Sequence, residues 1–471
     1  MKSLVNFSLR LSISFYAILH FVTYFYENRI LLTLLSISGF GILLFAIMTR
    51  TVNKMKLPFL LFLTGVVILI FSSSPIIDGV LNGFLQMRNM VGLLVVVPMI
   101  SWVLKEEAYM ESIISFSHKI LNTSRKFYFG MISFTQIIAY FLNFGSIPMM
   151  YQFANMILKD EKGEAWENFK GTALLRGFAL STLWVVSIPS FAFVVETMHA
   201  SLWISILQGL GLSFGGVIVA VIFSRYEEKR YGVDLTAGLQ NEIDEVLRNA
   251  TNKGQIKRNV VEFVILFVTL FGSIFILHYF VAVELLFLIP LVVLVWILAF
   301  YVVKKRPHKL WKEARVYVGK GMIHQSYQLS VMLGAGMMIS ALNQTDFASI
   351  VIDSIYTLKE TLPLINVLYF LPFMVIILGF FGLGPLTVMV LVGGILGSLE
   401  LPYPPELIVL TVTSGSAISI LLSPLIMPII ALSGVNGLGG FKNGIKFNWK
   451  YAAVIYVVVQ VYVQVRVTFT S

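Results

Sequence analysis

Apolar residues run in blocks of about twenty along most of the chain without strand-like alternation, which predicts membrane-crossing helices rather than a β-barrel. The uninterrupted blocks fall at about 6–26, 30–49, 57–73, 84–104, 201–224, 259–281, 283–303, 321–342 and 450–468. Two more, at about 172–197 and 404–436, carry breakers at their centres: Ser187-Ile188-Pro189-Ser190 in one, Ser423-Pro424 and Pro428 in the other. Eleven spans follow from this pattern. Elsewhere it changes. Between Glu107 and Asn122, Tyr109, Ile113, Phe116 and Ile120 form a helical stripe opposite Glu107, Glu111, Ser115 and Lys119, the signature of a helix lying flat at the membrane surface. Phe347, Ile350, Val351, Ile355 and Leu358, interleaved with Asp346, Asp353 and Glu360, predict a second such helix.

After each flat helix comes an apolar stretch broken in the same way. The first, at about 127–157, contains Asn143-Phe144-Gly145-Ser146-Ile147-Pro148; the second, at about 362–398, contains Phe381-Gly382-Leu383-Gly384-Pro385. Both read Phe-Gly-x-x-Pro. Gly accepts any φ and Pro lacks the N–H that the next turn needs, so Pro148 and Pro385, like Pro189, Pro424 and Pro428, break helices. Broken backbone survives at membrane depth only where protein buries it or a cavity solvates it, so each stretch reads as a re-entrant hairpin.

The order span, flat helix, hairpin, broken span, span occurs twice. Met99-Ile100-Ser101 matches Met338-Ile339-Ser340 at an offset of 239, Pro148 matches Pro385 at 237, and Ser187 matches Ser423 at 236. The chain divides accordingly into N-terminal spans (1–83), a first repeat (84–224), a hydrophilic linker (225–258), two spans with a basic loop (259–320), and a second repeat (321–471).

Charge orients this map. Lys119, Arg125, Lys126, Lys159, Lys162 and Lys170 flank the first hairpin, and seven basic residues against Glu313 mark 304–320 as a cytoplasmic loop. Around the second hairpin, 397–404 has no Lys or Arg and the preceding stretch only Lys359, so its flanks face outside. The fold class is therefore an all-α polytopic membrane protein with about eleven transmembrane helices and two oppositely oriented re-entrant hairpins in an inverted repeat, N-terminus cytoplasmic. Matched breaks in inverted halves are the sequence pointer to a carrier's binding site.

Composition agrees: 58% hydrophobic, 12% charged and a mean hydropathy of +0.86 exclude an ordinary soluble domain. The net charge of +10 lies in loops between spans, where it argues orientation rather than nucleic-acid binding. The absence of cysteine excludes thiolate sites and Cys nucleophiles. No His-Glu-x-x-His, Gly-x-Ser-x-Gly or phosphate-binding Gly-x-x-x-x-Gly-Lys occurs, so the chain is read as no enzyme, with no cofactor. The apolar start lacks a small-residue cleavage site and is read as the first span.

The arrangement resembles the ion transporter superfamily, which includes divalent anion/sodium symporters and citrate and arsenite carriers. The likeness rests on the repeated order of elements and on the run Ser423-Pro424-Leu425-Ile426-Met427-Pro428 through Gly434, Gly440, Gly444 and Asn448. It implies a homodimer in the inner or plasma membrane, an elevator motion, and anion transport coupled to a sodium or proton gradient. Neither tip carries the family's Ser-Asn-Thr triplet. Half-helix ends carry partial charge, so the expected substrate-binding residues are Asn143, Gly145, Ser146, Gly382, Gly384 and Thr387 at the tips, with Ser187, Ser190, Ser414, Ser416 and Ser423 of the broken spans. Arg176, a turn inside its span, either neutralises an anionic substrate or snorkels to the cytoplasm. A cation/proton antiporter of the same architecture and a non-transporting scaffold remain open. The first needs a mid-span carboxylate; the second needs no paired breaks.

Overall fold

The computed structural model describes residues 2–49, 55–72, 75–109, 112–113, 116, 123–158, 163–232, 234–236, 253–281, 283–361 and 366–470. Every element among them is helical. In chain order these are α1 (Lys2–Phe25), α2 (Arg29–Thr49), α3 (Lys56–Phe71), α4 (Ile76–Leu85), α5 (Arg88–Val96), α6 (Ile100–Leu104) and α7 (Ser124–Leu142). Next come α8 (Ser146–Ile157), α9 (Glu164–Ser181), α10 (Pro189–Thr197), α11 (Leu202–Tyr231), α12 (Lys253–Phe280) and α13 (Leu285–Val303). The rest are α14 (Pro307–Val316), α15 (Met322–Leu342), α16 (Phe347–Thr361), α17 (Val367–Phe380), α18 (Pro385–Leu396), α19 (Pro405–Leu422), α20 (Met427–Asn436) and α21 (Phe447–Thr470).

Nine helical stretches among the described residues are long and apolar enough to cross a membrane, and α3, α17 and α18 are shorter apolar helices. The helices also turn large apolar side chains outward, as with Trp203, Leu207, Phe214 and Ile222 on α11. Apolar patches on that scale mark a membrane-facing surface.

The chain forms two compact units. The first comprises 1–103, 273–365 and 390–402; the second comprises 104–272, 366–389 and 403–471. This partition cuts across the linear division of the sequence: opening spans of both repeats fall in the first unit, and both tips with both broken helices fall in the second.

In the first unit α15 is the core helix, packing on α2, α3, α4 and α5. Its crossing with α3 is set by glycine. A Cβ at Gly65 would stand 2.8 Å from the Met337 backbone, and one at Gly334 would stand 2.6 Å from the Pro58 carbonyl oxygen. Helices that cannot draw on water exclusion pack by such close backbone approach. Buried hydroxyls tie the remaining elements, Tyr16 donating to the Phe84 carbonyl at 2.8 Å and Tyr317 to that of Val95 at 2.6 Å. His20 is buried edge-on to Phe287, its ring nitrogens without hydrogen-bond partners.

In the second unit α7 and α8 double back rather than run on as one helix. Tyr128, near the start of α7, donates to Thr172 of α9 at 2.9 Å. Tyr151 and Asn155, near the end of α8, meet Glu167 and Lys170 of the same helix at 2.8 and 2.7 Å. A straight helix would hold Tyr128 and Asn155 roughly 40 Å apart.

Several boundaries differ from the expectation. The span placed at 84–104 begins eight residues earlier at Ile76 and is segmented, with Pro98 in a 3-10 turn. The first broken helix ends at Ser181, and the unwound stretch 182–188 precedes Pro189 instead of centring on it. The segment 304–320 is not a loop: α14 and a π-helical turn, Tyr317–Gly321, lead into α15. Lys, Arg, Glu and Leu are good helix formers, and α14 forms with no buried residue. The linker narrows because α11 runs to Tyr231 and α12 starts at Lys253; residues 237–252, and most of the flat helix expected at 107–122, lie outside the described residues.

Candidate functional site at the paired helix breaks

Within the second unit the two copies of the break share one construction. The helix before each Phe-Gly-x-x-Pro turn packs along the first half of the following broken helix, α7 on α9 and α17 on α19. A glycine permits each contact. A Cβ at Gly177 would stand 2.8 Å from the Ile132 carbonyl oxygen, and one at Gly415 would stand 2.8 Å from that of Pro372. Where each broken helix unwinds, a serine hydroxyl braces the arm: Ser187 donates to the carbonyl of Tyr140, and Ser423 to that of Gly379 at 2.8 Å. Gly177 and Gly415 lie 238 residues apart, the register of the sequence repeat. Neither glycine was singled out from sequence, although their matching offset was the available signal.

The tips turn differently. Asn143 turns the first, at φ 51°, and α8 then starts at Ser146. Gly382 turns the second, at φ 84°, and Pro385 opens α18. Both values lie where L side chains are strained, tolerable for Asn and free for Gly. The first tip rests against α20, and Gly382 is close to Leu425 in the second break.

The hydroxyls expected to bind substrate divide into three groups. Ser187 and Ser423 brace backbone, and Ser414 donates within its own helix to Thr411 at 2.7 Å. Ser190 and Thr387 are buried. Ser146 and Ser416, 0% and 1% exposed, keep hydroxyl oxygens with no hydrogen-bond partner. Ser146 opens α8 directly after the 3-10 turn Asn143–Gly145, and its N–H donates to the Asn143 and Phe144 carbonyls. Gly145 and Gly384 are open: beyond its own neighbours, a Cβ at the first would meet only Leu142 Cβ, at 3.7 Å, and one at the second nothing within 4 Å. Pro148 and Pro428 sit in the opening turns of α8 and α20, and Pro424 in the unwound stretch before α20.

Arg176 neither snorkels nor faces an open site. It is fully buried and donates from Nε to Asn448 at 3.0 Å, from Nη1 to the Tyr128 hydroxyl at 2.9 Å, and from Nη2 to Glu227 at 3.1 Å and the Phe447 carbonyl at 3.2 Å. Its guanidinium carbon also lies 4.6 Å from the Tyr451 ring centroid. Glu227 thus occupies the place proposed for a substrate's charge. The network continues through Asn448, which donates to the Asn443 carbonyl, and through Asn443 to Asn436 at the end of α20. Lys170 is likewise buried and paired with Glu167 at 2.6 Å. Both buried cations of α9 are therefore answered by protein carboxylates, and sequence reasoning missed both acids. At the exposed start of α9, hydrogen bonds from Lys442 and then Lys446 hold the Glu164 carboxyl below its ordinary value.

Helices of this length and apolarity, with their outward apolar faces, make the chain a polytopic helical protein of the membrane-spanning class. No protein-family model matches the chain, and neither does any curated protein.

Proposed function

We propose that the protein is a secondary-active transporter carrying a small organic or inorganic anion across the inner or plasma membrane, driven by a proton or sodium gradient. The observation that carries this reading is the duplicated break: glycine crossing, serine brace and turned tip recur at one register within one compact unit. Irregular backbone at membrane depth needs a purpose, and paired half-helix ends supply one. The N-termini at Ser146, Pro189, Pro385 and Met427 present positive partial charge to an anion, and the C-terminal carbonyls of their partner helices serve a coupling cation. The free hydroxyls of Ser146 and Ser416 complete the polar lining. With Arg176 and Lys170 already neutralised, helix ends and hydroxyls hold the substrate rather than a side-chain cation.

In this reading both hairpins are re-entrant and opposed, the map has eleven spans with the N-terminus cytoplasmic, and the protein works as a homodimer. The second unit moves as the elevator, the first is the scaffold, and no enzymatic step is involved.

The test is thermal stability of the purified protein across carboxylates and oxyanions, each in sodium and in potassium, for wild type and Gly145→Trp, followed by uptake of any hit into proteoliposomes. Ligands that bind only the folded state raise the melting temperature. Gly145 has helical dihedrals and open space beside it, so the indole fills the tip without disturbing packing. A shift that the variant loses, with gradient-driven uptake, supports the reading; uptake of no anion under either gradient removes it. Reporters fused after Ser398 and Asn443 are expected outside and inside, respectively.

A further inference from the structure

Between α13 and α15 the first unit builds a surface that the transport reading does not use. Residues 304–320 hold seven Lys and Arg side chains against one acid, Glu313. Four of the seven, Lys305, Lys312, Arg315 and Lys320, are exposed, whereas Glu313 is half-buried. Lys312 and Arg315 stand three apart on one helix, where like charges repel. A segment of this kind is favoured by a surface of opposite sign.

α14 sorts these charges by face. At 3.6 residues per turn, Pro307, Leu310, Trp311 and Ala314 fall on one side, and His308, Lys312 and Arg315 fall on the adjoining side. No residue of α14 is buried, and Trp311 is 69% exposed. An apolar stripe beside a basic flank, left unburied by the protein, is the pattern of a helix lying at a lipid interface. Tryptophan is enriched at the same level of a membrane.

Tethering distinguishes a lipid partner from a soluble one. α13, one of the helices long and apolar enough to cross a membrane, ends at Val303, and only residues 304–306 separate it from α14. Four Cα steps keep the start of α14 within about 15 Å of the end of α13. At its other end α14 passes through the π turn Tyr317–Gly321 directly into α15, and the Tyr317 hydroxyl is tied to the Val95 carbonyl of α5. α14 packs on α13 and on that turn. A soluble acidic partner would have to reach α14 at this surface, whereas headgroups are already there.

We infer that α14 and its flanks are a docking surface for anionic phospholipid, with Trp311 entering the headgroup layer and Lys305, Lys312, Arg315 and Lys320 meeting the phosphates. Each basic residue at such a surface is expected to raise the affinity about fivefold. The inference concerns the first unit alone and holds whether or not the second unit carries an anion.

The chain has no cysteine, so Val316→Cys gives one attachment point on α14 for an environment-sensitive fluorophore. The labelled full-length protein is placed in nanodiscs of phosphatidylcholine, alone or mixed with phosphatidylglycerol. Quenching by a headgroup-level nitroxide lipid is then compared with quenching by a neutral water-soluble nitroxide. Phosphatidylglycerol is expected to raise the first and lower the second, and added salt to reverse both. In this background Lys312→Gln should weaken the apparent affinity for phosphatidylglycerol about fivefold, and Lys312→Arg should keep it. Combining Lys305→Gln, Lys312→Gln, Arg315→Gln and Lys320→Gln should abolish the difference between the two lipids. Because α14 buries no residue, these variants should melt at the wild-type temperature. Equal quenching in both lipids, or a combined variant that still responds to phosphatidylglycerol, overturns the inference. So does a label that stays open to the soluble quencher in phosphatidylglycerol and is shielded only by added polyglutamate, a result that assigns an acidic protein as partner.

Discussion

The two copies of the break solve the same problem with different residues. In the first, α7 and α8 fold back along α9, Asn143 makes the turn, and the helix behind it carries two buried cations, each matched by a glutamate. In the second, Gly382 makes the turn, and α19 buries a run of hydroxyls, Thr411, Thr413, Ser414, Ser416 and Ser419, with no charge beyond Glu406 in its first turn. The first copy is thus fixed by ion pairs and the second by small-residue packing. What they keep in common is the contact between a broken helix and the backbone of its arm, made by Gly177 and Ser187 in one and Gly415 and Ser423 in the other. The two copies share the geometry that holds a helix end in place and differ in the side chains around it.

This contrast can be broken most sharply at the ion pair. Glu227→Ala leaves a fully buried guanidinium without its carboxylate and is expected to cost about 3–5 kcal/mol in unfolding experiments. The double variant with Arg176→Met is expected to recover much of that loss, and a larger loss in the double variant would contradict a matched pair. The shared glycine contact comes next. Gly177→Ala and Gly415→Ala each force a Cβ against a carbonyl oxygen and should each cost about 1–3 kcal/mol, with similar shifts in melting temperature. Unequal costs would show that the two crossings are not equivalent.

Removing the braces is milder. Ser187→Ala and Ser423→Ala are each expected to lose about 1 kcal/mol and to impair function more than stability, measured by melting and by uptake in parallel. The smallest effect belongs to Glu164, a half-exposed carboxylate at the start of α9. Its depressed pKa means that its stabilising contribution is complete above the ordinary carboxyl value of 4.5 and is lost as pH falls through the lower folded value. Glu164→Gln should flatten the acid limb of a pH–melting profile slightly, and added salt should do the same to wild type.

The sequence revealed those features whose cause is local. Long apolar runs and Phe-Gly-x-x-Pro punctuation identify the helices and both tips because proline and glycine act on the residues beside them. Ser187 and Ser423 were selected from sequence, yet composition does not reveal which way a hydroxyl points, and both are engaged by backbone. The partners of Arg176 escaped because Asn448 lies 272 residues away and periodicity carries no information at that range. The matched glycines were hidden among the 35 that the chain contains. The segment 304–320 misled for the opposite reason: its charge density suggested a loop, while its intrinsic helix propensity was sufficient to form α14.

The long reach of Arg176 has a consequence for how the protein is made. Glu227 leaves the ribosome 51 residues after Arg176, but Asn448 and the Phe447 carbonyl follow only after some 270. At translation rates of about 5–20 residues per second, the guanidinium waits roughly 14–54 seconds for them. Until then, of its described hydrogen-bond partners, Tyr128 and Glu227 have been synthesised, and α21 supplies the rest. A chain cut short before Phe447 therefore lacks two of the acceptors that Arg176 has in the folded protein.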